Sequence, residues 1–172
     1  MRDFLLRPWE KADAASLARC ADDPSVAAEL RDAFPSPYSR ADAEWFIRDC
    51  AVREGEEQLC RAIVVDGRAV GCVSVLRGAD VYRRSAELGY WLGRDFRGQG
   101  IMTEAVKRMC REAFGVWNIV RIQAEVFGSN LASCRVLEKA GFLREGTKRA
   151  GVYKGGRILD SCIYALVKEE RA

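Results

Sequence analysis

The sequence has 172 residues, 49% of them hydrophobic and 31% charged, with a formal net charge of +3. That length suits one domain with a full core, so residues 1–172 are read as a single soluble globular domain. The basic excess is too small and too dispersed for nucleic acid, and no apolar run approaches the ~20 residues of a membrane span.

Histidine is absent altogether. This removes Cys/His metal sites and Ser-His-Asp or Cys-His catalysis, and leaves Glu, Asp, Tyr, Cys, Lys or water as general bases. The stretch Met1 to Glu10 has no long apolar region or small-residue cleavage site, so a cytoplasmic location is expected. The seven cysteines include no Cys-x-x-Cys pair and read as small buried hydrophobes in a reducing compartment.

In chain order, residues 4–7 read as a short strand and 11–20 as a helix. Pro24 suits the first turn of a second helical segment. Residues 34–38, with prolines at 35 and 37, form a rigid non-helical connector. Ser39 and Asp42 make a capping box that opens a helix with the apolar stripe Ala43, Phe46, Ile47 and Cys50. Trp45 lies off that stripe and reads as a partly packed surface residue, with a groove border as the alternative. Asp66-Gly67 joins strands at 58–65 and 68–76 as a hairpin. A strand at 85–92 leads through a glycine turn into a helix from Ile101. That helix carries Met102, Ala105, Val106, Met109, Cys110, Ala113 and Phe114 on its core face, with Gly115 as its stop.

Residues 121–126 form the next strand. Gly128-Ser129-Asn130 then caps a helix running to Ala140 and closed by Gly141. Residues 142–149 and 157–167 look like a final hairpin across Lys154-Gly155-Gly156. Strands mixed with helices in this order indicate an α/β (α+β) sheet domain, not a regularly alternating doubly wound fold.

The turn Arg97-Gly98-Gln99-Gly100 is the most informative local feature. Its two glycines permit close backbone approach to a ligand, and the following helix offers unpaired N–H groups and a positive dipole end to an anion. A Walker loop is excluded by the missing lysine. A dinucleotide fingerprint is excluded because Ile101, Met102 and Thr103 follow where a third glycine is needed. The same glycines would equally serve a plain strand-to-helix turn, and their spacing does not choose between the two.

Arg97-Gly98-Gln99-Gly100-Ile101-Met102 resembles the acetyl-CoA signature of the GNAT superfamily of N-acetyltransferases. Asn130-Leu-Ala-Ser133-Cys-Arg-Val-Leu137-Glu-Lys-Ala-Gly141-Phe142 resembles the superfamily's second motif, in the expected order and separation. Similarity to the branch of Rim-type ribosomal-protein N-terminal acetyltransferases extends over nearly the whole chain. It includes Leu-Leu-Arg-Pro-Trp at 5–9, Phe34-Pro-x-Pro-Tyr38 and Glu87-Leu-Gly-Tyr-Trp-Leu92.

The resemblance implies a GNAT-like mixed, splayed central sheet of about seven strands flanked by helices. It implies acetyl-CoA as cosubstrate, with no metal. The pyrophosphate would lie on Arg97, Gly98, Gln99, Gly100, Ile101, Met102 and Thr103, and the pantetheine arm along Trp91 and Leu92, with a hydrogen bond from Asn130. Asn130 read alone is a helix cap.

Two departures from the motif stand out. Met102 occupies a position usually Gly or Ala. Leu137 replaces the tyrosine that many relatives use to protonate the departing thiolate. Ser133 matches the Rim-type branch's proposed proton donor, and a structural first-turn serine is its alternative. Glu87 is the candidate base, expected in an apolar groove that would raise its pKa, against the alternative of a surface carboxylate. A backbone N–H near Leu92 would hold the oxyanion. Cys134 is not assigned an acyl-enzyme role, because no histidine can activate it. Tyr153 reads as packing on the sheet, with the substrate end of the groove as the alternative.

The expected partner is an amine acceptor, either a protein N-terminus or a small molecule, for a monomer or homodimer that uses neither nucleic acid nor membrane. A catalytically silent CoA-binding sensor and a nucleotide-binding regulator are the competing readings.

Overall fold

Apolar β-formers fill Gln58–Val65 (β2) and Arg68–Arg77 (β3), and every residue of β2 is buried. Between them Asp66 and Gly67 both take positive φ, 48° and 73°, which matches the twist of a two-residue hairpin. In the computed structural model, which describes residues 2–168, this hairpin belongs to a seven-stranded sheet whose middle strand is the next one in the chain. The other strands are β1 (Leu5–Arg7), β4 (Ser85–Leu92), β5 (Arg121–Phe127), β6 (Leu143–Lys154) and β7 (Arg157–Val167). Their spatial order is β1-β2-β3-β4-β5-β7-β6. All neighbours are antiparallel except β4 and β5.

The helices divide between the two faces. α1 (Ala14–Ala21) and α3 (Arg40–Arg53) bury Leu17, Ala43 and Ile47 together, with Tyr38 from the connector. α2 (Pro24–Ala27) begins with Pro24 in its first turn, and the Asp23 carboxylate accepts from the Ser25 amide. On the opposite face α4 (Ile101–Val116) and α5 (Leu131–Lys139) close the main core over Val73, Val75, Leu88 and Ile122. The capping box at α3 is present, with both the Ser39 and Asp42 side chains bonded reciprocally. All seven cysteines are free thiols, six of them buried, and Cys50, Cys60 and Cys72 form a small cluster beside Trp9.

Two boundaries differ from the sequence expectation. Gly115 does not stop its helix: α4 runs on to Val116, and Gly115 has no left-handed φ. The stop is Trp117, which turns extended and anchors its indole N–H on the Gly55 carbonyl at 2.8 Å. The final hairpin's first strand also continues beyond Arg149. Irregularities at Arg144/Gly146 and Lys148/Val152 absorb extra residues, and Ala150 donates its amide to Asp160 at 2.8 Å.

The functional consequence of the topology lies between β4 and β5. These strands pair only at Ser85↔Arg121, Ala86↔Ile122 and Glu87↔Gln123, then part. From Leu88 to Leu92, β4 has β3 on one side and an open gap on the other.

Candidate active site

The gap opens into a groove of about 1560 Å³ that crosses the sheet. Alternation along β4 assigns its side chains to opposite faces. Tyr90, Leu88 and Leu92 belong to the α4/α5 core, whereas Trp91 packs with the α1/α3 clusters. Glu87 shares the Trp91 face.

The backbone alternates too. Gly93 donates its amide to Val70, and the Ser85 carbonyl accepts from Gly78, so odd-numbered residues of β4 face β3. Beyond the rung at Glu87, the even-numbered backbone groups therefore point toward the gap, and of these the Leu92 carbonyl is taken by Arg97.

At the groove's mouth stands the glycine turn. Gly98 and Gly100 take left-handed φ values of 75° and 79°, which a side chain would strain. Gly100 is the N-cap of α4 and supplies no side-chain acceptor, leaving the first-turn amides of Ile101, Met102 and Thr103 without a capping group. Gly98 to Thr103 all border the groove. Met102 is 7% exposed, its side chain sunk into the main core, so a larger residue than Gly or Ala fits at the helix start.

Two members of this stretch hold the turn itself together. Arg97 donates from Nε to the Leu92 carbonyl at 2.9 Å, and Gln99 donates to the Asp95 carbonyl at 3.0 Å. Both also line the groove, as do Trp91 and Leu92.

Asn130 caps α5 with its side-chain oxygen, which accepts from the Ser133 amide at 3.0 Å. Its NH₂ group is a separate pair of donors at the groove wall. Ser133 sits in the first turn of α5, and its Oγ lies 2.7 Å from the Tyr90 hydroxyl. The Ser133 carbonyl is a second, longer acceptor for the same Tyr90 hydrogen, at 3.3 Å. Burial pushes the Tyr90 phenol above its ordinary range, and the Ser133 hydrogen bond only partly offsets it. Leu137 is fully buried in the core, where it contributes packing and no proton.

Glu87 borders the groove at the last paired position before the gap. Its surroundings differ from the expected apolar groove: the carboxylate is 40% exposed and ion-paired with Arg31. Arg31 comes from the connector between α2 and α3, a segment that crosses the sheet on the Glu87 face. Its neighbour Asp32 accepts from Lys154 of β6 at 2.6 Å. Phe34 from the same segment meets Trp91 edge-on, with ring centroids 6.0 Å apart. Trp45 is 60% exposed and Tyr153 is 73% exposed, and both edge the groove at this end.

The sequence reading did not single out Tyr90, Arg31, Asp32 or Lys154. Period-two alternation in β4 could have marked Tyr90 as facing away from Glu87 and Trp91. The connector's ion pairs have no such local signal.

Among the described residues, no group of three or more His, Cys, Asp or Glu could hold a metal ion. No described helix is long and apolar enough to cross a membrane.

A mixed sheet parted between β4 and β5, with an uncapped glycine-led helix at the opening, defines the class. Residues 3–143 match the acetyltransferase (GNAT) domain, and the chain belongs to that family. It is 36% identical over 108 residues to the putative ribosomal N-acetyltransferase YdaF of Bacillus subtilis (strain 168), a match covering 63% of this chain and 58% of that relative. The chain thus spans less than two thirds of that relative's length. The uncharacterized N-acetyltransferase p20 of Bacillus licheniformis is 31% identical over 168 residues, covering 97% of this chain and 94% of the relative. Mycobacterium smegmatis RimJ, solved in complex with CoA-disulfide, superposes with a TM-score of 0.86 at 25% identity, over 97% of this chain and 83% of that one.

Proposed function

We propose that this chain is a single acetyltransferase domain that moves an acetyl group from acetyl-CoA directly to a primary amine. The observation that carries this reading is the edge of β4 from Leu88 to Leu92 that no strand covers, followed by the uncapped start of α4. A peptide-like pantetheine arm suits an open strand edge, and a pyrophosphate suits free amides at a helix N-terminus. The solved RimJ complex with CoA-disulfide and the putative ribosomal N-acetyltransferase relative support the same assignment.

In this reading the amides from Gly98 to Thr103 hold the pyrophosphate, Trp91 and Leu92 border the arm, and Asn130 adds a hydrogen bond from its NH₂ group. The Leu92 N–H, facing the gap, stabilises the oxyanion as charge develops on the thioester oxygen. Glu87 takes a proton from the amine, directly or through water. The amine nitrogen forms the new C–N bond, and the C–S bond breaks with its electron pair leaving on sulfur. Ser133 passes its hydroxyl proton to the sulfur and regains one from solvent, while Glu87 releases to solvent the proton it took. Arg31 pairs with Glu87 through Oε1, leaving Oε2 to accept the proton, and this pair links the base to the connector.

The acceptor is an amine on a protein N-terminus or on a small molecule. Free-thiol release from acetyl-CoA across a panel of amino-terminal peptides, amino acids and polyamines is the test, with turnover expected for at least one class. Glu87→Gln should lower kcat by about 10²-fold or more while acetyl-CoA binding holds. Unchanged turnover would remove Glu87 from the mechanism. CoA binding without turnover on any amine would favour a catalytically silent CoA-binding module, and binding of ATP but not CoA would overturn the acetyl-CoA reading itself.

A further inference from the structure

We propose that Tyr90 is a positioning residue for thiol departure: its hydroxyl donates to Ser133 Oγ and so leaves the Ser133 hydrogen directed at the leaving sulfur. The inference deepens the acetyl-transfer reading above and rests on it.

The need for such a group follows from α5. The second motif places Leu137 where many relatives carry a tyrosine, and Leu137 is fully buried and apolar. Ser133, one turn earlier, faces the groove with a hydroxyl. A serine hydroxyl rotates freely and has a single hydrogen. In a helix's first turn it ordinarily spends that hydrogen or its lone pairs on nearby backbone. Here the Ser133 amide is already taken by the Asn130 side chain, and the hydroxyl instead meets Tyr90 at 2.7 Å.

Direction matters, because a Ser133 hydrogen spent on Tyr90 could not reach sulfur. The single Tyr90 hydrogen has two acceptors, Ser133 Oγ at 2.7 Å and the Ser133 carbonyl at 3.3 Å, and the shorter contact favours Oγ. A phenol of ordinary pKa near 10 is a much stronger hydrogen-bond acid than an alkyl alcohol, so the favoured arrangement runs from Tyr90 to Ser133. Burial reinforces it, since the phenolate is disfavoured and Tyr90 keeps its proton throughout. Tyr90 therefore orients and polarises without itself being consumed.

Placement supports the same role. Tyr90 lies on the part of β4 that has parted from β5, and its hydroxyl reaches α5, 43 residues on. Glu87 lies on the opposite face of the same strand. The amine's proton thus leaves on the α1/α3 side and the thiol's proton arrives on the α4/α5 side, so base and acid do not neutralise each other.

The test compares wild type, Tyr90→Phe, Ser133→Ala and the double variant at saturating amine, with kcat and the acetyl-CoA KM read separately. Tyr90→Phe should lower kcat about 10-fold with KM within about twofold, and the double variant should be no slower than Ser133→Ala alone. A second readout uses an acetyl aryl thioester, whose thiol leaves without acid assistance; the Tyr90→Phe deficit should shrink there. Full kcat in Tyr90→Phe, additive losses in the double variant, or a deficit that is the same for both thioesters would overturn the proposal. Should Tyr90→Phe fold poorly, Ser133→Ala reads the pair from its other side through the same leaving-group comparison. Active wild type with equally active Tyr90→Phe sinks only this inference, whereas CoA binding without turnover in wild type sinks the acetyl-transfer reading as well.

Discussion

Gly71 shows how one absent side chain supports the candidate site. A Cβ built there would lie 2.6 Å from the Trp91 carbonyl oxygen and 2.8 Å from Leu92 Cδ1. Gly71 pairs with Leu92 in the β3–β4 ladder, so the clash falls on the strand whose free edge faces the gap. Gly71→Ala is expected to destabilise the fold by about 1–3 kcal/mol, because the nearer obstacle is backbone and cannot rotate away. It should also weaken CoA binding. Denaturant unfolding and CoA titration check the two effects, and an unchanged midpoint would mean that β4 yields without cost.

Asp13 acts at the same scale but through charge. Its side chain is 5% exposed, yet it accepts two hydrogen bonds from Arg7, at 2.7 and 2.8 Å, and one from the Glu10 amide. Burial alone would raise its pKa. The Arg7 hydrogen bonds, the Glu10 amide and the Arg7 charge outweigh burial and hold the carboxyl below its ordinary range. A lowered folded-state pKa contributes stability above the unfolded value near 3.9, which is lost as pH falls through the folded value. Asp13→Asn should therefore be destabilising at pH 7, by about 1–3 kcal/mol. The difference from wild type should narrow as the pH is lowered below 3.9. Thermal unfolding across pH 3 to 7 measures this, and a constant difference would contradict it.

At the scale of elements, what was legible in the sequence is what is local. The Asp66-Gly67 hairpin, the strand from Ser85 to Leu92, the Ser39 capping box and the Asn130 cap all rest on residues within a few positions of one another. The apolar face of α4 was readable for the same reason. Gly115 misled because a glycine near a helix end usually marks its stop, whereas Trp117 ends this helix by seating its indole in the core.

What was not legible joins distant elements. Arg31 reaches Glu87 across 56 residues, and Lys154 reaches Asp32 across 122. These two pairs tie the connector to β4 and β6 at the end of the groove proposed for the acceptor. Arg31, Glu87 and Asp32 are substantially exposed, so these pairs contribute little to stability, about 0–1 kcal/mol, although the Lys154 side chain is only 17% exposed. Their expected effect is on access. Asp32→Ala should leave the unfolding midpoint nearly unchanged and alter the acceptor KM several-fold, with the acetyl-CoA KM unmoved. Equal shifts in both Michaelis constants would show that the connector does not serve the acceptor end alone.

For the molecule as a whole, the parting of β4 and β5 leaves backbone donors and acceptors facing a groove instead of a neighbouring strand. A ligand that pairs with this edge and with the start of α4 binds the folded chain and not the unfolded one, so it must stabilise the fold. At a CoA concentration 100 times the dissociation constant the gain is about 2.7 kcal/mol. For a domain of this size that corresponds to a rise in Tm of roughly 5–11 °C. Tyr90→Phe and Glu87→Gln act after binding, so both variants should keep nearly the full shift. Gly100→Val forces a β-branched residue to a φ of 79° at the N-cap of α4. Its own Tm should fall, and added CoA should no longer raise it. A full CoA shift in Gly100→Val would mean that the diphosphate is held elsewhere. An equal shift with ATP would mean that the groove reads only a phosphate chain, because ATP has no pantetheine arm to lay along the open edge of β4.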